Sequence, residues 1–359
     1  MDIEKMIKEL EEEIRRTPYN KATARHIGRL KARIAKLREE ASKKSGKSKG
    51  KGFLIKKTGD ATVVLVGFPS VGKSTLLNKL TNAESKVGNY QFTTLNIVPG
   101  MLEYKGAKIQ IFDIPGIIKG ASEGKGRGRE VLSSVRAADL IVVVMDVFNL
   151  DYDTIINELR NVDIRPGEKP PDIRIKKKER GGINIYSTNK VDEEVVRSIL
   201  REYNIYSADV IIREKFDVDR FIDAIAGNRT YIPVLKVVNK IDLVNKEYLK
   251  HVKSKFPDAI LVSAKNNLNI DKLKEEIFKN LNLIRIYTKK PGKDPNYKEP
   301  LIMRKGCTIE DVCKKLHKSF LEDFRYARVW GKSAKFNGQK VGLEHVLEDG
   351  DIVQIIKKV

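Results

Sequence analysis

The nine residues GFPSVGKST, at 67–75, follow the β-branched run ATVVLV and continue into STLLNKL, an apolar helical pattern. A strand, a glycine-bearing loop and a helix in that order restrict the surrounding architecture to an α/β sheet with helices on its faces. They also supply the context a phosphate-binding loop requires. Gly67 and Gly72 permit backbone N–H groups to converge on an anion, and the helix start adds its positive dipole end. Gly67, Phe68, Pro69, Ser70, Val71, Gly72, Lys73, Ser74 and Thr75 are therefore candidate nucleotide contacts. In that arrangement Lys73 reaches the β and γ phosphates and Ser74 ligates Mg²⁺.

Three further motifs end strand-like runs. KIQIFD closes on Asp113, followed by Ile114, Pro115 and Gly116. There Asp113 can hold Mg²⁺ through water, and the Gly116 N–H can meet a γ-phosphate. IPVLKVVNK leads into Asn239, Lys240, Ile241 and Asp242. A carboxylate only accepts hydrogen bonds, so Asp242 pairs with the two donors on the guanine edge and repels the acceptor that adenine presents. AILVSAK ends on Ser263, Ala264 and Lys265, which complete a base pocket. Between the loop and Asp113 lies Phe92-Thr93-Thr94-Leu95, where a threonine, Thr94 in preference to Thr93, can bind Mg²⁺ only when the third phosphate is present. The order of the four strand-end motifs predicts GTP and GDP as ligands, with Lys73, Thr94 and Gly116 closest to the chemistry.

Asp113 and Asn239 are 126 residues apart (239 − 113), whereas two helices, two strands and their loops need roughly 55. The surplus predicts a small α/β insert at 163–230 within a GTPase domain spanning 58–282. Ahead of that domain, Ile3, Ile7, Leu10 and Ile14, then Ile27, Leu30, Ile34 and Leu37, repeat at helical spacing. They predict a hairpin, with Thr17 able to cap and Pro18 suited to a first helical turn. With the basic linker SKKSGKSKGKG it forms a segment at 1–57, and a small β-rich domain is expected at 283–359.

The formal net charge is +22, and residues 14–57 hold sixteen Lys and Arg against two acids, Glu39 and Glu40. That imbalance favours a polyanionic partner such as RNA over a neutral one. Two cysteines exclude a disulfide framework, and no His/Cys cluster has zinc spacing. The longest apolar runs fall short of the roughly 20 residues that a membrane-spanning helix needs, so no membrane partner is expected. MDIEKMIKELEEE is acidic and lacks an apolar signal core, and a cytoplasmic monomer is the expectation.

GFPSVGKST, YQFTTLNIVPG, DIPGIIKGASEGKGRGRE and NKID together resemble the Obg-related translation GTPases, specifically the developmentally regulated GTP-binding protein (DRG) family. KKKERGGIN and GNRTYIPVLKVVNKID are similar to the DRG insert. RIYTKKPGKDPNY through FRYARVWGKSAKFNGQKVGLEHVLEDGDIVQI is similar to a TGS domain. The resemblance implies a P-loop GTPase with a mostly parallel three-layer sheet, a β-grasp-like TGS tail and an insert shaped like part of a small-subunit ribosomal protein. It implies a ribosome-associated switch and gives Thr94 the place of the family's magnesium-binding threonine.

Such proteins carry an apolar residue where Ras-like enzymes place a water-orienting glutamine, and here Ile117 and Ile118 follow Gly116. Three substitutes stand open: switch backbone groups, a monovalent cation such as K⁺, or a side chain from a protein regulatory factor. Potassium-dependent relatives hold the cation partly through a loop Asn, and this chain has Ser70 there. Lys125, Arg127 and Arg129 can serve the γ-phosphate, ribosomal RNA or solvent alike. Slow intrinsic turnover follows as the expectation. An RNA-binding scaffold that uses guanine nucleotide only structurally is the alternative, and a metabolic kinase would favour adenine instead.

Overall fold

The computed structural model describes residues 3–45, 59–81, 98–114 and 135–358. The chain begins with helices α1 (Ile3–Arg16) and α2 (Ala24–Ser45). There follow β1 (Ala61–Val66), α3 (Lys73–Leu80), β2 (Val98–Tyr104), β3 (Ala107–Asp113), β4 (Leu140–Asp146), α4 (Tyr152–Asn161) and β5 (Ile164–Pro166). Next come β6 (Ile173–Lys177), β7 (Ile183–Ser187), α5 (Glu193–Glu202), β8 (Ala208–Ile212), α6 (Val218–Ala226) and β9 (Thr230–Ile232). The sequence then gives β10 (Val234–Asn239), α7 (Lys246–Lys255), β11 (Ile260–Leu261) and α8 (Ile270–Asn280). The tail holds β12 (Leu283–Thr288), β13 (Leu301–Arg304), α9 (Ile309–Leu316), α10 (Lys318–Glu322), β14 (Phe324–Trp330), β15 (Gln339–Val341) and β16 (Ile352–Lys357).

These elements form two compact units, one of residues 1–52 with 168–231, the other of residues 53–167 with 232–359. In the larger unit a six-stranded sheet runs β11-β10-β4-β1-β3-β2. Its strands pair in parallel except β2, which lies antiparallel on the edge. Strand β1 shows why three layers result. All six of its residues are buried, and successive side chains point to opposite faces. Val63 and Leu65 join the core under α3 and α8 with Leu76, Leu80, Leu273 and Ile277. Val64 and Val66 join a second core, under α4 and α7, with Ile155, Leu159 and Val252.

The edge strand β2 is absent from the sequence reading, because VPGMLEY holds a Pro and a Gly that argue against a strand interior. On an edge both fit. A Cβ on Gly100 would lie 2.5 Å from the Thr81 methyl and 2.9 Å from Leu77 of α3, so only glycine admits that approach. Lys105 and Gly106, with φ of 50° and 82°, then turn the chain tightly back into β3.

In the tail a mixed sheet runs β13-β12-β16-β14-β15, with β12 and β16 parallel. Helix α9 starts on a reciprocal cap between Thr308 and Asp311, satisfying donors that the first turn leaves open. Ile309, Val312 and Cys313 bury its face with Ile286 and Val329. Both cysteines are buried free thiols.

In the smaller unit, the sheet β6-β8-β7 carries α5 and α6, and α2 packs on both helices. Ala32 belongs to the same core as Val196, Ile199 and Phe221. A Cβ on Gly28 would sit 3.3 Å from Val195, so glycine lets α2 approach closely despite its cost inside a helix. The second helix begins six residues later than Thr17-Pro18 suggests. The Thr17 hydroxyl donates to the Glu13 carbonyl at 2.7 Å and closes α1. Asn20 and Thr23 exchange reciprocal side-chain bonds ahead of Ala24 instead.

An ion pair locks the end of α6: Arg229 Nε donates to Asp223 at 2.9 Å, with side chains only 8% and 5% exposed. Arg229→Ala would take this guanidinium from a buried carboxylate, at a cost of about 3–5 kcal/mol. Urea unfolding followed by circular dichroism is expected to show the smaller unit melting early. Fluorescence of the single tryptophan, Trp330 in the larger unit, should keep its midpoint. A loss below about 1 kcal/mol would mean that the pair is not held as described.

Candidate nucleotide-binding site

Because β1, β3, β4, β10 and β11 are parallel, their carboxyl ends share one edge of the sheet. Residues 67–75, Asp113, residues 239–242 and residues 263–265 all follow those ends, the usual place for a ligand crevice in such a sheet. Gly67 leaves β1 where a Cβ would collide with the Val144 carbonyl of β4. Ser70 and Gly72 both have positive φ, 64° and 92°, a backbone form that gathers successive N–H groups into an anion nest. A Cβ on Gly72 would also collide with the Asn239 amide.

Lys73 opens α3 and is 7% exposed. Its ammonium donates to the carbonyls of Gly67 at 3.1 Å and Phe68 at 2.9 Å. Burial pulls its pKa below the ordinary lysine value, and the Asp113 charge works in the opposite direction. The lysine is thus a cation held at some energetic cost on the loop it closes.

Ser74 Oγ donates to Asp113 Oδ2 at 2.5 Å, whereas Asp113 Oδ1 is buried without a partner among the described residues. A hydroxyl and an orphaned carboxylate oxygen side by side are hard donors of the kind Mg²⁺ prefers, so these residues fit that ion. Ser74→Ala is expected to weaken the magnesium dependence of nucleotide affinity about tenfold or more. Titrating Mg²⁺ into the complex with a fluorescent guanine nucleotide measures this, and an unchanged midpoint would remove Ser74 from the metal site.

The base end of the crevice is braced differently from what the motif alone conveys. Asn239 donates from Nδ2 to the Val71 carbonyl at 3.0 Å and accepts at Oδ1 from Ala264 N–H at 3.0 Å. It thereby ties the phosphate loop to the 263–265 segment. Lys240, at φ 63°, places its ammonium 2.5 Å from Asp146 Oδ2. Asp146 was missed in the sequence; its only signal is that it ends LIVVVMD, and the register sets it opposite Asn239. Its other oxygen accepts from Phe148 and Asn149 N–H at 3.0 and 2.8 Å. Ser263 is fully buried and accepts from Asn266 N–H at 3.1 Å, Ala264 is 1% exposed, and Lys265 is exposed. Asp242 Oδ1 is buried with no partner among the described residues, ready to accept from a ligand. Pro69 and Ser70 are exposed at the loop tip, while Thr75 faces outward on α3. Thr94, Gly116, Ile117, Ile118, Lys125, Arg127 and Arg129 lie outside the described residues.

A strand-end nest, a buried lysine and an orphaned carboxylate at each end of one crevice define a P-loop nucleotide-binding protein. Comparison with known proteins agrees and is more specific. A profile described as 50S ribosome-binding GTPase matches residues 62–177, one for the C-terminal region of that domain matches 180–283, and a TGS domain matches 284–357. A GTP-binding protein of Methanocaldococcus jannaschii is 60% identical over all of this chain and 94% of its own. Developmentally-regulated GTP-binding protein 1 of Xenopus laevis is 49% identical over 98% of each chain. Developmentally-regulated GTP-binding protein 2 of Homo sapiens is 46% identical over the whole of both. Among solved structures, the Schizosaccharomyces pombe YchF GTPase covers 85% of this chain and all of its own, at 18% identity and a TM-score of 0.46. The chain belongs to the developmentally regulated GTP-binding protein family, GTP-binding proteins with a P-loop GTPase domain and a TGS domain.

Proposed function

We propose that this chain is a slow GTPase that hydrolyses GTP to GDP and phosphate and acts as a switch on the ribosome or its RNA. The observation that carries the nucleotide reading is the pair of buried, unpartnered oxygens, Asp113 Oδ1 and Asp242 Oδ1. An unsatisfied buried carboxylate oxygen is costly. One lies beside Ser74, where a metal–phosphate pair would sit, and the other follows β10, where a purine edge with two donors would sit.

In the reaction, water attacks the γ-phosphorus in line, its oxygen–phosphorus bond forming as the bond to the β–γ bridging oxygen breaks, and its proton leaves with the phosphate product. GDP leaves directly, without a covalent intermediate. Lys73 exchanges its two loop carbonyls for phosphate oxygens, and the loop amides meet the negative charge that develops there. Ser74 and Asp113 would hold Mg²⁺, with Thr94 joining them in the GTP state, and the ion would supply positive charge against the phosphates. Asp242 selects guanine, Lys240 stays positioned by Asp146, and Asn239 holds the phosphate and base halves in register. Switch backbone groups, K⁺ or a side chain from a protein factor would stand in for the water-orienting polar group that the Ile117 position lacks.

Support for a ribosomal or RNA partner comes from the basic N-terminal segment, the match to a 50S ribosome-binding GTPase profile, and the TGS tail. No helix among the described residues is long and apolar enough to cross a membrane. Single-turnover GTP hydrolysis with and without purified ribosomes tests the proposal. Slow release of phosphate that ribosomes accelerate about tenfold or more is expected. No hydrolysis under either condition would favour a scaffold that uses nucleotide structurally.

A further inference from the structure

Helix α2 distributes its cations unevenly. Lys31 pairs with Asp219 at 2.7 Å and Arg38 with Glu11 at 2.7 Å. Arg25, Arg29 and Arg33 instead line a groove of about 480 Å³ against α5, together with His26, Arg201 and Glu202. Arg25 shares Glu194 at 3.4 Å, both more than half exposed, a weak hold. The side chains of Arg29, Arg33 and Arg201 have no hydrogen-bond or ion-pair partner among the described residues, and all three are exposed. Glu202 is the lone acid on the lining, and its carbonyl accepts from another cation, Lys36, at 2.9 Å. Three guanidiniums stand at i, i+4 and i+8, so each step advances about 6 Å along the helix. Successive phosphates along a nucleic-acid strand are separated by a similar distance.

We infer that this groove is a contact surface for the sugar–phosphate backbone of RNA, with Arg29, Arg33 and Arg201 each engaging a phosphate. The inference rests on the RNA association proposed above and gives it a surface. All four strong cations on the lining are arginines, whose planar fork grips phosphate oxygens in pairs. The lining contains no large apolar side chain, so nothing there would anchor a bilayer or fill a hot spot on a protein partner. A regular file of guanidiniums, of which Arg29 and Arg33 have no partner among the described residues, suits a ligand whose anions repeat at fixed spacing.

The test uses the full chain carrying Arg29→Glu, Arg33→Glu and Arg201→Glu, a labelled RNA hairpin, and a salt titration. A matched reversal on α7, Lys246→Glu with Lys250→Glu and Lys255→Glu, controls for net charge. The groove variant is expected to bind the hairpin about tenfold or more weakly, with the slope of log K against log salt shallower by about two. The α7 variant should change affinity less than about threefold. GTP affinity should be unchanged in both variants. An Arg→Gln triple variant, expected to show the same trend more mildly, gives the reading if the reversed one unfolds. Wild-type affinity in the groove variants, or an equal loss on α7, would overturn the assignment of the surface while leaving RNA association standing. Loss of binding to phosphatidylserine vesicles without loss of RNA binding would overturn it too. A wild-type chain that does not bind the hairpin at low salt would overturn both readings.

Discussion

Asp242→Asn is expected to lower GTP affinity by about 100-fold or more and to raise affinity for xanthosine triphosphate. The buried Asp242 Oδ1 has no partner among the described residues, so its hydrogen bonds await the ligand. Two bonds from guanine donors to a carboxylate contribute about 1.5–3 kcal/mol each, and every 1.4 kcal/mol is a factor of ten in affinity. Asparagine keeps one acceptor and replaces the other with a donor. It therefore clashes with the guanine exocyclic amine and matches a base with a carbonyl at that position. Competition against a fluorescent guanine nucleotide measures both affinities. A GTP affinity within threefold of the parent would mean that another group reads the base.

Lys73→Met is expected to move two properties in opposite directions. Hydrolysis should fall by about 10²–10³-fold or more, as when a preorganised transition-state donor is removed. The nucleotide-free protein should become more stable, because the folded chain holds this lysine buried on carbonyls with its pKa pushed down by desolvation. The pH dependence follows from the same direction. Between the lowered folded pKa and the ordinary value of 10.5, the unfolded state binds more protons, so parent stability rises with pH across that window. The variant should lose that rise. Thermal melts across that range, with single-turnover hydrolysis at neutral pH, read both effects. A variant that hydrolyses normally would remove Lys73 from the phosphate site, and one that melts earlier would contradict the account of its burial.

The central sheet is legible in the sequence because ATVVLV, KIQIFD and LIVVVMD are buried on both faces and carry the branched residues that such strands need. The strand-end motifs are legible for a related reason, since parallel strands deliver their following loops to one edge. Other features depend on contacts that the local sequence does not encode. Strand β2 hides behind Pro99 and Gly100, which an edge position and the approach of α3 make acceptable. Asn239 reads as a base contact, and its bracing bonds to Val71 and Ala264 cannot be read from the motif. Asp146 is an ordinary strand-end acid until register brings Lys240 to it. The apolar face of α2 is visible in Ile27, Leu30 and Ile34, but not that the core it joins is built from residues more than 150 positions away, such as Val196 and Phe221.

On the proposed reading, one end of the crevice grips phosphates and the other chooses the purine. Titration calorimetry of the unmodified chain with GTP and with ATP, in magnesium, tests it most directly. The orphaned Asp242 oxygen predicts that GTP binds about 100-fold or more tightly than ATP. Equal affinities for the two would contradict it.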